Sequence, residues 1–153
     1  MARVKKRRRG TAIVETENGV LVTAGRNKIF LLPGGGANRG ETRVGAAMRE
    51  LREETSLKPY YVKYLYRHVG KVHKSHGHGY FQDHHTVCLI KAHGIPSPRH
   101  EIKYVAYYKP GSGIHISGVT REIIEKYYSY KKHGKAKQRQ TSIMSRVLEW
   151  LTI

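Results

Sequence analysis

The sequence predicts a layered α/β domain, and three observations support that fold class. Several short runs of apolar or alternating residues are typical of strands, whereas segments with apolar residues at helical spacing lie in the middle and near the end of the chain. The length of 153 residues suits a single domain. Hydrophobic residues make up 39% of the chain, which is enough for one packed core.

The predicted elements follow in chain order. A basic segment, residues 1–10, is expected to be a mobile tail, and the domain itself then covers residues 11–153. Apolar alternation predicts strands at residues 11–15, 19–24, 27–32, 60–68, 80–92 and 101–108. Helical periodicity predicts helices at residues 42–55, 118–130 and 141–151, with a Lys-, His- and Gly-rich loop at 70–79 and a basic linker at 131–139.

The charge of the chain is strongly positive. There are 29 Lys and Arg residues against 11 Asp and Glu residues, and the formal net charge is +18. Such a surface attracts polyanions, such as phosphorylated small molecules, nucleic acid or an acidic membrane surface. No stretch approaches the roughly 18 apolar residues of a membrane span, and no apolar segment follows the basic N-terminus. We therefore expect a cytoplasmic protein, whose oligomeric state the sequence does not determine.

One predicted helix, at residues 42–55, holds most of the residues with evident chemistry. Its apolar stripe consists of Val44, Ala47, Met48 and Leu51. Another face bears three glutamates, Glu50, Glu53 and Glu54. Carboxylates this close repel one another, and a divalent cation with oxygen ligands would remove the repulsion. Taken alone, the glutamates are more typical of a solvated acidic face paired with Arg49 and Arg52.

The pattern of the whole segment favours the metal. Residues 35–57 resemble the Nudix box, in which Gly, five residues, Glu and seven residues precede Arg-Glu-aliphatic-x-Glu-Glu-x-Gly-aliphatic. The matching positions are Gly35, Glu41, Arg49, Glu50, Leu51, Glu53, Glu54 and Leu57, with Ser56 where the family has Gly. That position ends the helix, so we expect a local adjustment at Ser56 and no loss of activity. The resemblance implies an α/β/α sandwich around a mixed β-sheet.

The resemblance also implies an enzyme and a role for each residue of the box. It implies a pyrophosphohydrolase in which water attacks one phosphorus of a diphosphate with the help of Mg²⁺ or Mn²⁺. Glu50 and Glu54 would bind the metal, and the Gly35 carbonyl and Glu41 are further candidate ligands. Glu53 would act as general base or orient the water, and Arg49 would orient the carboxylates. Family members differ in the base they use. Glu101, predicted to begin a late strand, is the alternative to Glu53, although its position is more typical of a plain surface glutamate.

The surplus of positive charge favours a highly phosphorylated substrate. Dinucleoside polyphosphates and inositol pyrophosphates are the first class of candidates, ahead of the 5′ end of RNA and of nucleoside triphosphates, including oxidised ones. The phosphates would be bound by basic residues near the box, namely Arg39, Arg43, Lys71 and Lys74. An alternative of another class is a non-catalytic RNA-binding protein on a Nudix scaffold, although all four glutamates of the box are intact.

Other residues are given structural roles. The single cysteine, Cys88, lies in an apolar run and is predicted to be a core side chain. The spacing of His73, His76, His78, His84 and His85 matches no compact zinc site and favours a basic, phosphate-facing loop. The tyrosines that alternate near residue 60 are predicted to serve core and cross-strand packing, with base stacking as the alternative: Tyr60, Tyr61, Tyr64 and Tyr66. Core packing is also predicted for Ile123, Ile124 and Tyr127.

Overall fold

The structure, a computed structural model, describes residues 3–77 and 79–151. The chain divides into two compact units, one ending at Thr120 and one beginning at Arg121. In chain order the elements are β1 (Val4–Ile13), β2 (Glu15–Thr16), β3 (Gly19–Ala24), β4 (Gly34–Gly36), α1 (Arg43–Thr55), β5 (Lys58–Lys74), β6 (Tyr80–His93), β7 (Tyr104–Tyr108) and α2 (Gly118–Leu151). Over the described ranges, neither helix has the apolar length that a membrane span requires.

The strands form two sheets. The larger sheet has the order β4-β1-β6-β5, and the smaller one has the order β2-β3-β7. In the larger sheet β1 and β6 run parallel, whereas β4 and β5 are antiparallel to their neighbours. The predicted mixed α/β class, with a mixed sheet and two helices, is therefore confirmed.

The prediction of a mobile basic tail is wrong for residues 4–10. These residues form the first part of β1, which pairs with β6 without interruption from Val4↔Tyr80 to Ile13↔Leu89. The backbone groups are satisfied by the ladder, while the alternating Lys and Arg side chains project from its two faces. On one of those faces Arg7 makes two hydrogen bonds to Asp83, of 2.6 and 2.9 Å. Met1 and Ala2, the rest of the predicted tail, lie outside the described residues.

Three further predicted boundaries are wrong. Residues 70–74 belong to β5, since a register shift between Val69 and Val72 keeps this glycine-containing stretch in the ladder. Residues 27–32 form only isolated bridges, at Phe30 and Leu31, and the strand lies later, at β4. Residues 131–139 are helical and join the two predicted C-terminal helices into α2, because Lys, Ala, Gln and Arg are good helix formers.

The first helix packs its predicted stripe on the larger sheet. Ala47 and Leu51 are fully buried, and they join a cluster with Ala12, Leu21, Cys88 and Ile90. Gly10 is required at this contact, because a Cβ atom there would overlap the backbone of Arg43 and Ala47. Cys88 is a core side chain as predicted, and burial raises the pKa of its thiol to about 11. Ile123, Ile124 and Tyr127 are also buried, as predicted.

Both ends of α1 have defined caps. Thr42 caps the N-terminus, where its hydroxyl accepts a 3.0 Å hydrogen bond from the Gly45 N–H. Ser56 ends the helix in the left-handed conformation, with a φ of 65°, and its N–H donates to the Arg52 carbonyl at 2.9 Å. The position therefore has the backbone conformation that glycine adopts freely, at a cost to serine of about 1 kcal/mol.

Candidate active site

The glycine-rich turn places backbone directly against a carboxylate. β4 runs antiparallel to β1, with Gly35 opposite Gly10 and Gly36 opposite Arg9. A Cβ atom at Gly35 would overlap the carboxylate of Glu50. Only glycine, which has no Cβ atom, lets the backbone of residue 35 come this close to Glu50. A backbone carbonyl and a carboxylate must be this close in order to bind the same cation.

Arg49 connects the predicted carboxylates. Its guanidinium binds both oxygens of Glu41, at 2.8 and 3.0 Å, and it reaches Glu50 and Glu53 at 3.1 Å each. It also donates to the carbonyl of Gly36 at 3.1 Å. These hydrogen bonds lower the pKa of Glu41 to about 2 and raise that of Arg49. The geometry suits the predicted orienting role of Arg49, and it ties Glu41 to Arg49 and to the Asn38 N–H, which donates to Glu41 at 3.0 Å.

Glu54 is a carboxylate whose surroundings disfavour its charged form. Its side chain is 6% exposed and receives hydrogen bonds from the Gly34 N–H and, at 3.4 Å, from the Thr23 hydroxyl. Burial, together with the charges of Glu50 and Glu101, raises the pKa of Glu54 to about 8. A proton or a cation close to this carboxylate would remove the unfavourable charge.

The donor set fits a hard divalent cation. Within residues 3–77 and 79–151, no group of three or more His, Cys, Asp or Glu side chains is arranged to hold a metal ion. Two of the carboxylates, Glu50 and Glu53, are instead paired with Arg49. The oxygens of Glu50 and Glu54 are nevertheless of the type that Mg²⁺ and Mn²⁺ prefer. A buried carboxylate whose pKa is raised by its acidic neighbours has the electrostatic surroundings that a bound cation would stabilise.

A cavity of about 460 Å³ adjoins Glu54. Its polar lining includes Arg9, Arg26, Thr23 and Glu101, and its apolar lining comprises Ala24, Ile29, Leu31, Leu32 and Ile102. Glu101, the alternative base, thus lies in the same cavity as Glu54, on the segment that precedes β7 and not within a strand. Sequence reasoning missed Arg9 and Arg26 as site residues, because Arg9 was assigned to a tail and Arg26 follows β3 in a turn.

The four predicted substrate-binding residues lie on different elements. Arg39 lies exposed in the loop of the box, and Arg43 is the first residue of α1. Lys71 and Lys74 lie in the outer part of β5, where Lys74 pairs with Tyr80 and Tyr80 pairs with Val4. At about 3.3 Å per residue, these pairings place Lys74 roughly 16 Å along the sheet from Arg9.

The histidine-rich segment is divided between strands. His84 and His85 follow each other in β6 and therefore face opposite sides of the sheet. His85 is buried, hydrogen-bonded to Thr11 at 2.9 Å, and burial lowers its pKa to about 4. His73 stacks on Phe81 with ring centroids 5.4 Å apart. The expected single phosphate-facing loop is therefore wrong for these residues, and His78 lies outside the described residues.

The tyrosines of β5 depart in part from their predicted packing. Tyr60, Tyr61 and Tyr64 are 43–58% exposed, so the expectation of core packing is wrong for them. Cross-strand packing does occur, since Tyr60 stacks on His93 with centroids 4.1 Å apart. Tyr66 is half-buried, and burial raises the pKa of its hydroxyl.

The chain belongs to the Nudix family, because the sequence model of the NUDIX domain matches residues 5–151. The crystal structure of a putative nudix hydrolase family member from Chromobacterium violaceum is similar to this chain: the sequences are 34% identical, the TM-score is 0.71, and the match covers 95% of this chain and 97% of that one. The E. coli dihydroneopterin triphosphate pyrophosphohydrolase is 17% identical, with a TM-score of 0.59 over 82% and 97% of the two chains.

A third similar structure belongs to a larger protein. It is the bifunctional NMN adenylyltransferase/ADP ribose pyrophosphatase from Francisella tularensis, complexed with AMP and a manganese ion. The identity is 19% and the TM-score 0.57, over 84% of this chain and 42% of that one. At such identities the second and third similarities show the fold alone. No curated protein sequence matches the chain significantly.

Proposed function

We propose that this Nudix protein is a metal-dependent pyrophosphohydrolase that cleaves a phosphoanhydride bond in a highly phosphorylated, nucleotide-type substrate. The observation that carries this proposal is the buried carboxylate of Glu54, which lies beside Glu50 and opens onto a cavity with two arginines. A carboxyl that is buried beside other acids at the edge of a cavity, with its pKa raised to about 8, is typical of a functional site.

Each residue has a distinct task in this proposal. Glu50 and Glu54 hold Mg²⁺ or Mn²⁺, together with the backbone of Gly35, which lies against Glu50. When bound, the cation neutralises the oxygens that gain charge as the phosphoanhydride bond breaks. Arg49 keeps the carboxylates of Glu50 and Glu53 in place through its 3.1 Å hydrogen bonds.

Two carboxylates are candidates for the base. Glu53 is 49% exposed on its side chain and is held by Arg49, so it can receive a proton from a water at the edge of the site. Glu101 lines the cavity and lies close enough to raise the pKa of Glu54. We retain Glu53 as the proposed base, with Glu101 as the alternative.

The lining of the cavity favours a nucleotide over an inositol pyrophosphate. Ile29, Leu31 and Leu32 provide an apolar surface for a base or ribose, which a fully phosphorylated inositol does not have. Arg9 and Arg26 supply charge for the phosphates. One of the similar structures, from Francisella tularensis, holds AMP and a manganese ion, in agreement with a nucleotide-type substrate here.

A panel of substrates tests this proposal. The purified chain would be incubated with Mg²⁺ or Mn²⁺ and with a dinucleoside polyphosphate, a nucleoside triphosphate, ADP-ribose, an inositol pyrophosphate and triphosphate-ended RNA, and the products would be resolved by mass. We expect the nucleotides to be cleaved at a phosphoanhydride and the inositol compound to be spared. Preferred cleavage of the inositol pyrophosphate would contradict the assignment of the apolar lining, and preferred cleavage of the RNA would make its 5′ end the substrate.

A further inference from the structure

A cationic surface, distinct from the cavity beside Glu54, lies on the side of the larger sheet that carries α1. We call it the outer basic face and define it by Lys6 and Arg8 of β1, Arg67 of β5, His84 of β6 and Arg43 at the start of α1. Arg8 pairs with His84, and Arg67 pairs with the neighbouring same-face residue Thr86, so the strand cations share one side of the sheet. A 3.0 Å hydrogen bond between Arg67 and His84 shows the same proximity.

The charges on this face repel one another. Apart from burial, every charge that shifts the pKa of His84 is cationic and lowers it: Lys6, Arg67, Arg43 and Arg8. The pKa of Lys6 is likewise lowered, first by Arg67 and then also by Arg8 and Arg43. Arg43 is in addition the first residue of α1, where the helix dipole disfavours a cation. Folding thus concentrates like charge here, in contrast to Arg7 on the other side, which is paired with Asp83.

This face is separate from the candidate active site. Along β1 the side chains alternate, so Arg9, which lines the cavity beside Glu54, projects from the opposite side to Arg8. An anion on the outer basic face would therefore be bound independently of one in the cavity. Binding at the outer basic face does not require catalysis.

Apolar and aromatic side chains lie next to the cations on the same face. Tyr80 is opposite Val4, and Val72 is opposite Gln82, which is the partner of Lys6. Tyr80, Val4 and Val72 are 40, 42 and 49% exposed. An exposed ring beside a row of cations can stack a base while the cations bind the adjoining phosphates. The side chains of Val4 and Val72 are short and give little depth of insertion into a bilayer.

We propose that the outer basic face binds single-stranded nucleic acid, with its cations on backbone phosphates and the ring of Tyr80 against a base. Lys6 and Arg8 are two residues apart on one strand, about 7 Å, so they can meet successive phosphates of an extended chain. A duplex would offer phosphates but no free base for Tyr80, so we expect single strands to be preferred.

Binding of a fluorescent 15-nucleotide RNA with a 5′ hydroxyl tests the proposal. This RNA contains no phosphoanhydride, so the result does not depend on the proposed function. The triple variant Lys6→Gln/Arg8→Gln/Arg67→Gln removes three charges from the face. Fluorescence anisotropy across a range of salt concentrations should show binding weakened by about tenfold or more, and a salt slope smaller by about 2.

A matched variant controls for net charge. Lys58→Gln/Lys103→Gln/Lys109→Gln removes the same charge from exposed positions outside the face, and we expect its affinity to stay within about twofold of the wild type. Equal weakening by both triple variants would show that only the overall charge matters, and it would overturn the proposal. Thermal melting separates binding from folding, because relief of repulsion should leave the outer-face variant at least as stable as the wild type.

Two further arms identify the ligand. Tyr80→Leu should weaken binding of the single strand by about fivefold or more and leave binding of a duplex nearly unchanged. Vesicles of phosphatidylglycerol and phosphatidylcholine test the other source of surface phosphates, and we expect no dependence on the outer-face cations. Vesicle binding that depends on these cations, without RNA binding that does, would overturn the proposal in favour of a membrane.

Discussion

The substitution Glu54→Gln keeps the size of a buried side chain and removes its charge. Burial, followed by the charge of Glu50, raises the pKa of Glu54 from 4.5 to about 8. The folded protein therefore holds this proton more tightly than the unfolded chain does, and stability is lost as pH rises from the unfolded pKa towards the folded one. At roughly 1.4 kcal/mol per pH unit the loss has a ceiling of about 5 kcal/mol. Because water can enter the adjoining cavity, we expect about 2 to 3 kcal/mol.

Urea unfolding in EDTA at pH 5 and pH 8.5 measures this loss. The free energy of unfolding of the wild type should fall between these pH values by about 2 to 3 kcal/mol more than that of Glu54→Gln. Glu17→Gln, at an exposed turn position, is the matched control and should behave like the wild type. Added Mg²⁺ should stabilise the wild type at pH 8.5 and have little effect on Glu54→Gln. The same pH dependence in both proteins would refute the assignment of a buried, raised carboxyl at this position.

Three other substitutions probe the site. Glu53→Gln should lower turnover by about 10² or more with the fold intact, as measured by steady-state kinetics and circular dichroism. If an equally large loss of turnover is seen only in the comparison variant Glu101→Gln, the base is Glu101 and not Glu53. Ser56→Gly should raise the free energy of unfolding by up to about 1 kcal/mol and leave turnover within a few-fold, whereas a large change in rate would show that the serine hydroxyl contacts substrate or metal. Gly35→Ala should displace the carboxylate of Glu50 and raise the Mg²⁺ concentration needed for half-maximal turnover by tenfold or more, and an unchanged metal requirement would contradict the close approach of the two residues.

The features that the sequence predicted well depend on local interactions. The helix at 42–55 was predicted to within one residue of its start, because its apolar stripe and the capping Thr42 act within one turn of each other. A local adjustment was expected at Ser56, and the structure shows which one: the residue takes the left-handed conformation. The clustering of Glu50, Glu53 and Arg49 is also a consequence of helical spacing, and the structure adds the distances.

The features that the sequence did not predict depend on long-range pairing. The basic residues before Thr11 have no apolar alternation, so nothing local distinguishes a strand from a tail. Their structure comes from β6, where Lys5 pairs with Phe81 and Arg7 pairs with Asp83. Arg9 reaches the cavity beside Glu54 only because that pairing is made. Glu101 meets Glu54 for a similar reason, since topology and not sequence spacing brings it there.

The continuity of α2 shows a different limit. A run of Lys, Ala, Gln and Arg is typical both of a linker and of an exposed helix, and charge patterning does not separate the two. The structure shows one helix from Gly118 to Leu151, in which residues 132–148 are exposed on every side. The segment 131–139, which was predicted as a linker, contains no apolar period from which its helix could be predicted.

The central claim is that Glu50 and Glu54 support metal-dependent attack of water on a phosphoanhydride, and isotope incorporation tests it most directly. The wild type would hydrolyse a dinucleoside polyphosphate in water enriched in ¹⁸O, with Mg²⁺ and with EDTA, and the products would be weighed by mass spectrometry. We expect one ¹⁸O atom in a phosphate group of one product, with Mg²⁺ only, and no product from Glu54→Gln. Hydrolysis in EDTA at an undiminished rate, or equal turnover by folded Glu54→Gln, would contradict the claim.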